Sequence, residues 1–431
     1  MIDLIQDSIK ELKLHNAKKR EDHIEKLLDY YNGNDTANYI SRMFAGSAFS
    51  EIPPVETNIT RKFINKMSRI YTIGAIRNVN DKYNELTILK NARMKHIERM
   101  TRLCGTIATR VVMVDGDMPY LDYRPIYFFH VNFEDDPFTP KSISYPVLQP
   151  VEDTSKVEKL QYAYWDKERY LLMDEDGVIL DEIPHNYGVL PFIFTHRENQ
   201  TDSFYVEGAN DIVNANEHIN IAMTEMQLGL RFQMFGQPVM TGAEMGNKQR
   251  TGSDVTLELP EGSTYEIVAP QGNVEGVIEN VKFLVELVAQ NNHLWVQWSE
   301  QGGEVPSGIS LMIKDLERSE DYQDDLELWR MYEYELYRVE RQVAASFVSL
   351  PSDLGLDFKE PEYPKTVQDQ ILWDKHRLEL NLINEVGLLM EYNNDLTQEQ
   401  AELTIASNKQ RNQKLSIFEK ARQAAQRTAE V

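Results

Sequence analysis

The spacing of apolar positions is most regular between residues 205 and 350, where it predicts a helix, a small β module, a second helix, a loop and one very long helix. In the first helix the apolar positions recur every three or four residues, so they form a single stripe. Asn216 and Asn220 lie on or beside this stripe, where a plain core helix would carry leucine. The stripe runs through Ile212, Asn216, Ile219, Met223, Met226 and Leu230.

Glycines and prolines interrupt this period between Gly236 and Pro270, and the apolar runs among them predict a β module. The predicted strands are Pro238–Thr241, Val255–Leu259 and Tyr265–Val268. Helical spacing returns from Val274 to Trp298. The loop Gln301–Gly308 contains two adjacent glycines, which predicts that it can move. Ile309–Leu350 contains neither Pro nor Gly and predicts a helix of more than 40 residues.

The rest of the chain predicts helices at both ends and strands between them, so the expected fold class is α+β, mostly helical. Gly33 is a ready C-cap for the first helix, and Thr57 or Asn58 can cap the second. Thr397 and Gln400 form a capping box at the start of the last helix. The predicted helices are 1–31, 59–71, 82–108, 367–379, 382–392 and one from 397; the predicted strands are 109–114, 120–123, 126–133, 162–165, 169–173, 178–183 and an apolar strand within 185–194.

Charge changes this picture. Lys and Arg total 45 against 69 Asp and Glu, a formal net charge of −24, and such a surface repels nucleic acid. Two interpretations stay open: an ordinary acidic soluble protein, or a surface that stays close to a polyanion without binding it. The single cysteine, Cys104, excludes an internal disulfide framework. No apolar run predicts a signal peptide or a transmembrane helix.

Motifs for catalysis are absent from the sequence. There is no phosphate-binding glycine loop, no paired histidines at zinc-ligand spacing and no Gly-x-Ser-x-Gly elbow. The acidic sequence Asp174–Gly177 resembles a calcium loop but lacks the full ligand series, which favours a turn. The carboxylates between Asp315 and Glu327 could hold a divalent metal for phosphodiester hydrolysis, although such a run is more often a solvated helix face. We therefore expect no enzyme activity, no cofactor and no metal.

The order of several short motifs resembles that of the portal proteins of tailed double-stranded DNA bacteriophages. The match spans nearly the whole chain, and it is the order of the motifs that carries it. The motifs are Tyr30-Tyr31-Asn32-Gly33, Asn186-x-Gly188-x-x-Pro191-Phe192, Gly208-x-x-Asp211-Ile212, the exit from Pro238 to Gly242, Pro306-Ser307-Gly308-Ile309, Leu382–Leu388 and Thr397–Ala401.

The resemblance implies a division of the chain into the parts of a portal subunit. These are an N-terminal wing of helices and sheet (1–204), a first stem helix (205–236), a clip (237–272), a second stem helix (273–298), a tunnel loop (299–308), a long wing helix (309–350) and a helical crown (351–431).

The resemblance also implies a homo-oligomeric ring, usually a dodecamer, that passes double-stranded DNA during genome packaging and ejection. The expected partners are the large terminase, head-completion or tail adaptor proteins, and the major capsid and scaffolding proteins, without a membrane. The expected location is the portal vertex of the virion, and the host cytoplasm during assembly. The rival interpretations are a metal-dependent DNA-processing enzyme and a non-portal structural adaptor.

Three sets of site residues follow from the same resemblance. The tunnel loop facing the channel comprises Gln301, Gly302, Gly303, Glu304, Val305 and Pro306. The docking residues of the clip are Glu244, Asn247, Lys248, Arg250 and Glu261. A basic tail facing DNA contains Lys409, Arg411, Lys414, Lys420 and Arg422.

Overall fold

The structure is a computed structural model. It describes residues 10–13, 15–44, 53–136, 138–148, 160–235, 237–242, 262–268, 273–294, 296, 316–358, 367–393 and 396–412. The chain divides into two compact units. The first comprises Met1–Glu300 and Asp315–Pro361, and the second comprises Gln301–Lys314 and Glu362–Val431.

The first unit contains helices and strands in alternating groups. Its helices are α1 (His15–Asn32), α2 (Thr36–Met43), α3 (Ile59–Met67), α4 (Ile70–Ile73), α5 (Asp81–Leu86), α6 (Lys90–Cys104), α7 (Asn210–Phe235), α8 (Val274–Asn291) and α9 (Leu316–Val343). Its strands are β1 (Ala75–Asn78), β2 (Thr106–Val114), β3 (Tyr120–Ile126), β4 (His130–Phe133), β5 (Pro140–Leu148), β6 (Leu160–Trp165), β7 (Arg169–Met173), β8 (Ile179–Pro184), β9 (Phe192–His196), β10 (Gln237–Thr241), β11 (Thr264–Val268) and β12 (Gly355–Phe358).

All strand pairs among the described residues are antiparallel. Five strands form a sheet in the order β4-β5-β6-β7-β8, three form a sheet in the order β3-β2-β9, and two separate pairs join β1 to β12 and β10 to β11. With 51% helix and 21% strand the fold is mixed α/β, so the expectation of a mostly helical chain is wrong. Strand β5 was missed because Pro140 and Pro146 disguise its apolar pattern.

The main core lies where α6 and α9 pack on the β3-β2-β9 sheet. Side chains of β6 in the five-stranded sheet point alternately to its two faces, as the two-residue period of a strand requires. Ala163 and Trp165 join the cluster around Phe192, whereas Tyr162 and Tyr164 pack with Leu12. Both faces of that sheet are therefore covered. The main core includes Met94, Ile97, Leu103, Ile107, Val111, Trp329, Tyr332 and Leu336.

The structure places several helix and strand boundaries differently from the predictions. The predicted helix 59–71 is divided at Ser68, whose hydroxyl donates to the Ile64 carbonyl at 2.8 Å and whose backbone is extended. The helix 82–108 is likewise divided into α5 and α6, and the strand 126–133 is divided between two sheets. The helix predicted from Val274 to Trp298, which is α8, ends at Asn291.

The predictions of local turns and helix caps are confirmed at three places. Gly33 has a φ of 76° and its N–H donates to the Asp29 carbonyl at 2.7 Å, which confirms it as the C-cap glycine of α1. Asn58 is the cap of α3, because its side chain accepts from Arg61 N at 2.9 Å. Asp174 accepts from two backbone N–H groups of its own turn, those of Asp176 and Val178, so this acidic sequence is a turn.

In the second unit the described residues form α10 (Val367–Glu379), α11 (Glu385–Tyr392) and α12 (398–412). The capping box at the start of α12 is confirmed. Thr397 N donates to Gln400 Oε1 at 3.1 Å, and Gln400 N donates to Thr397 Oγ1 at 3.4 Å. An ion pair between Arg377 and Glu391, at 2.7 Å, joins α10 to α11.

Candidate functional site: a two-helix arm

Two helices and a strand pair form a continuous structure, which we name the arm: α7, β10, β11 and α8. Gln237 pairs with Val268 and Thr241 with Thr264, so the strand pair connects the end of α7 to the approach to α8. Asn273 caps α8 by accepting from Gly276 N at 2.9 Å. Val285, Val288 and Ala289 of α8 are buried together with the N-terminal half of α7. The arm is therefore a helical hairpin that ends in a strand pair.

The first asparagine of the apolar stripe holds the arm to the rest of the unit. Asn216 is buried, and its side-chain oxygen accepts from Ile59 N at 2.7 Å and from Thr60 N at 3.1 Å. Its amide nitrogen donates to the Thr57 carbonyl at 3.0 Å. The first N–H groups of a helix lack partners within the helix, so Asn216 satisfies two orphan donors of α3.

Asn220 and Thr224 continue this ladder along the same face of α7. Asn220 accepts from Thr57 N at 2.9 Å and from the Thr57 hydroxyl at 2.6 Å. The Thr224 hydroxyl accepts from Val55 N at 2.9 Å and donates to the Asn220 carbonyl at 2.8 Å. We name Asn216, Asn220 and Thr224 the amide ladder. It explains the polar positions of the stripe, since leucine at these positions would leave buried backbone donors unpaired.

Two glycines set the point where the arm leaves the unit. Gly105 has a φ of 83°, and a Cβ on it would lie 2.1 Å from the Val206 carbonyl oxygen. A Cβ on Gly208 would lie 2.3 Å from the Leu103 carbonyl oxygen. The Leu103 carbonyl also accepts from Ala209 N at 2.9 Å, so the two backbone segments are in direct contact just before α7 begins.

Large apolar side chains are exposed over much of the arm. Met234 is 80% exposed and Phe283 is 59% exposed. Exposed large apolar side chains on several neighbouring elements are typical of a surface for protein association. The exposed set is Met234, Val239, Ile267, Val268, Ile278, Phe283 and Leu287.

The arm is also acidic. Its two basic residues are Arg231 and Lys282. Such a surface offers few cationic contacts to phosphate groups. The carboxylates are Asp211, Glu217, Glu225, Glu266, Glu275, Glu279 and Glu286.

Helix α9 is attached to the same unit by buried charges. Lys90 lies 3.0 Å from Glu333 and 2.7 Å from Glu340, and all three side chains are almost inaccessible. Arg77 pairs with Glu333 as well. Burial alone would raise the pKa of Glu333, but Lys90 and Arg77 outweigh it and lower that pKa to about 2. We name Lys90, Arg77, Glu333 and Glu340 the charge clamp.

A third buried carboxylate, Glu98, lies outside the clamp. Glu98 accepts from Ile70 N at 2.9 Å and from Tyr71 N at 3.1 Å, so it holds the start of α4. Burial raises the pKa of Glu98 to about 7, against the opposing effect of these two N–H groups. Glu98 therefore titrates near neutral pH.

The predicted site residues lie mostly outside the described part of the chain. This holds for Gln301–Pro306, for Glu244, Asn247, Lys248, Arg250 and Glu261, and for Lys414, Lys420 and Arg422. Lys409 and Arg411 are described: both are exposed on α12, and Lys409 forms an ion pair with Glu385. Predicted strand 255–259 also falls outside the described residues.

The carboxylates of α9 do not form a metal centre in the described residues, where no group of three or more His, Cys, Asp or Glu side chains is placed to hold an ion. Asp325 is paired with Arg102. In the same described part, no helix combines the length and apolar character that crossing a membrane requires.

The charge clamp was not predicted, although the sequence contains a signal for it. Glu333 and Glu340 are seven residues apart, with buried Leu336 and Tyr337 between them, so both carboxylates lie on the apolar face of α9. Buried acidic residues need cations or hydrogen-bond donors around them, and here Lys90 supplies the cation for both.

Comparison of the sequence with protein-family models and with curated proteins finds no match.

Proposed function

We propose that the chain is a subunit of a portal ring, which forms the channel for double-stranded DNA at one vertex of a tailed-bacteriophage capsid. The observation that carries this proposal is the arm. Its order of helix, antiparallel strand pair and helix, followed by long helix α9, agrees with the order of stem, clip, stem and wing helix implied by the resemblance.

The exposed apolar surface of the arm supports assembly from identical copies. In a closed ring every arm lies between two neighbours, so each copy covers part of its neighbour's apolar surface. Phe283 and Ile278 on α8 and Met234 on α7 would then be buried only after assembly. A single subunit with such a surface would be prone to association.

The acidic arm supports the role of a channel wall. DNA binds proteins mainly through Lys and Arg contacts to phosphate, and these contacts fix its position. Duplex DNA meets only small energy barriers when it slides along a wall with few such contacts. Arg231 and Lys282 are the basic residues of the arm, which leaves it strongly negative.

The proposal assigns partners to the remaining segments. Residues 244–261 would dock the large terminase during packaging and head-completion or tail adaptor proteins afterwards. Residues 301–306 would contact DNA in the channel, and residues 409–422 would face packaged DNA. Capsid and scaffolding proteins would surround the ring.

The test is the native mass and the negative-stain projection of the purified chain. We expect rings of about twelve subunits with a central hole. Phe283→Glu should shift the distribution towards smaller species, because it places a charge on the covered surface. Met118→Glu is the control, since Met118 is also an exposed apolar residue, at 82% against 59% for Phe283, but lies in the β2–β3 turn outside the arm.

A compact monomer or dimer that cleaves DNA in a divalent-metal-dependent manner would contradict the proposal and favour the nuclease interpretation. A stable dimer without cleavage would favour a structural adaptor.

A further inference from the structure

A crevice of about 600 Å³ lies in the first unit between β9, the segment after it and helix α9. Its apolar wall includes Leu190, Phe194 and Phe204. Arg338 and Arg341 of α9 also line it. The crevice thus combines an apolar surface with two guanidinium groups on successive turns of one helix.

Two arginines and two glutamates line the crevice, so its formal charges are equal in number, but they are not all paired with one another. Arg338 lies one turn from Glu335, whose charge it offsets. Arg341 forms no ion pair with any described residue, and its buried Nε has no hydrogen-bond acceptor among them. Glu198 also lines the crevice, and His196 is largely neutral there because burial lowers its pKa to about 4. A buried N–H without an acceptor is unfavourable, so Arg341 lacks a carboxylate or similar oxygen.

A surface of complementary chemistry lies on the β7–β8 hairpin. Every residue of edge strand β8 is exposed, including Ile179, Leu180 and Ile183. Asp176 in the turn and Asp181 in the strand form no ion pair with any described residue, whereas Glu182 is held by Arg169 at 2.9 Å. The hairpin therefore presents exposed apolar side chains next to free carboxylates.

The two edges of the five-stranded sheet differ. At edge strand β4 the Val131 N–H donates to the Tyr205 hydroxyl at 3.2 Å, so this edge is covered by a side chain of the same copy. Edge strand β8 has no such cover among the described residues. An open edge with exposed apolar residues is a site where another chain can pack.

The crevice and the β7–β8 turn lie at opposite ends of that sheet. Phe138, Thr139 and Pro140, from the β4–β5 connection, line the crevice. Connections in an antiparallel sheet alternate between its two ends, so the β7–β8 turn lies at the other end, and β8 is at the other edge. A copy therefore does not reach its own crevice with its own hairpin.

We propose that the β7–β8 hairpin of one copy docks in the α9–β9 crevice of a second copy, with Asp181 facing Arg341 and the apolar side chains of β8 against Phe194. The contact joins two different surfaces, so it is head-to-tail and propagates into a ring when the rotation closes. Only the closure into a ring rests on the proposed function; the pairwise contact does not.

Charge reversal tests the contact. Arg341→Glu and Asp181→Arg should each weaken self-association by about tenfold or more, and the double variant should recover most of the loss, because the pair is re-formed with opposite polarity. Arg330→Glu is the matched control, since Arg330 is exposed on α9 outside the crevice. No recovery in the double variant would overturn the pairing.

Cross-linking gives a second measurement that does not depend on affinity. Arg338→Cys and Asp181→Cys in one chain, treated with a short bifunctional maleimide, should give a ladder of covalent multimers, and either substitution alone should give none. Native Cys104 adds no background, because it is buried and burial raises its pKa to about 12.

The outcomes separate the two proposals. Rings in the microscope without a ladder overturn the hairpin–crevice contact and leave the portal proposal standing. A ladder without rings supports the contact and counts against the portal proposal. If neither rings nor a ladder is observed, both proposals are overturned.

Discussion

The amide ladder on α7 and the charge clamp on α9 each fix a long helix to the same unit, with different chemistry. The ladder uses uncharged amides and a hydroxyl, each paired with backbone groups of residues 55–60. The clamp buries two carboxylates against Lys90 and Arg77. Both kinds of buried pair are costly to break, but only the ion pairs respond to pH. The attachment of α9 should therefore be pH-dependent, and that of α7 should not.

Removing Lys90, one of the two cations of the clamp, has the largest expected effect on the free energy of unfolding. Lys90→Met leaves Glu340 without its ion-pair partner and Glu333 with only Arg77, so the free energy of unfolding should fall by about 3–5 kcal/mol. Urea unfolding measures it. Lys82→Met, at an exposed position of α5, is the control and should change little. A loss for Lys90→Met no larger than that of Lys82→Met would show that the clamp does not hold α9.

The pH dependence of stability should have two opposite slopes. The pKa of Glu333 is about 2 in the folded chain against 4.5 unfolded, so its contribution is present above pH 4.5 and is lost as pH falls towards 2. The pKa of Glu98 is about 7, so the folded state binds the extra proton and stability falls as pH rises from 4.5 to 7. Each slope spans up to about 3 kcal/mol.

Glu98→Gln separates these two slopes. The variant cannot titrate at this position, so the fall in the free energy of unfolding between pH 4.5 and 7 should disappear. The loss below pH 4.5, which comes from Glu333, should stay. Guanidinium unfolding at a series of pH values gives the comparison. If wild type and variant ran parallel through this range, Glu98 would not be the group responsible.

Breaking the amide ladder should lower the free energy of unfolding by less than the loss of Lys90 does. Asn216→Leu leaves the N–H groups of Ile59 and Thr60 buried without an acceptor, a loss of about 1–3 kcal/mol. The loss should be the same at pH 5 and pH 8, because no group in the ladder titrates there. Asn214→Leu, on the exposed side of α7, is the control. A strongly pH-dependent loss would remove the distinction between ladder and clamp.

The smallest effect on folding is expected on the apolar surface of the arm. Phe283→Glu should change the free energy of unfolding of dissociated subunits by no more than about 0.5 kcal/mol, since the side chain is already exposed. Its self-association should nevertheless weaken, as measured by sedimentation. Equal losses in folding and in association would mean that Phe283 is part of the core of the subunit.

The sequence predicted what local chemistry determines. Asn216 and Asn220 drew attention because two amides interrupt an apolar stripe, and the caps at Asn58 and Thr397 follow from hydrogen bonds within four residues. The charge clamp was missed because Lys90 and Glu333 are distant in sequence, so the place of Glu333 on an apolar helical face does not indicate which cation it meets. Strand β5 was missed because only its neighbours in the sheet make a strand of a segment containing Pro140 and Pro146.

The backbone contact at Gly105 and Gly208 makes α7 a lever. The helix has 26 residues and is therefore about 39 Å long, so a tilt of about 5° at its base would displace its far end by roughly 3 Å. The contact at its base is between backbone atoms, since a methyl group on Gly208 would meet the Leu103 carbonyl directly. The direction of the arm is thus set at two places, by the contact of two polypeptide backbones about two residues before α7 starts and by the amide ladder further along the helix.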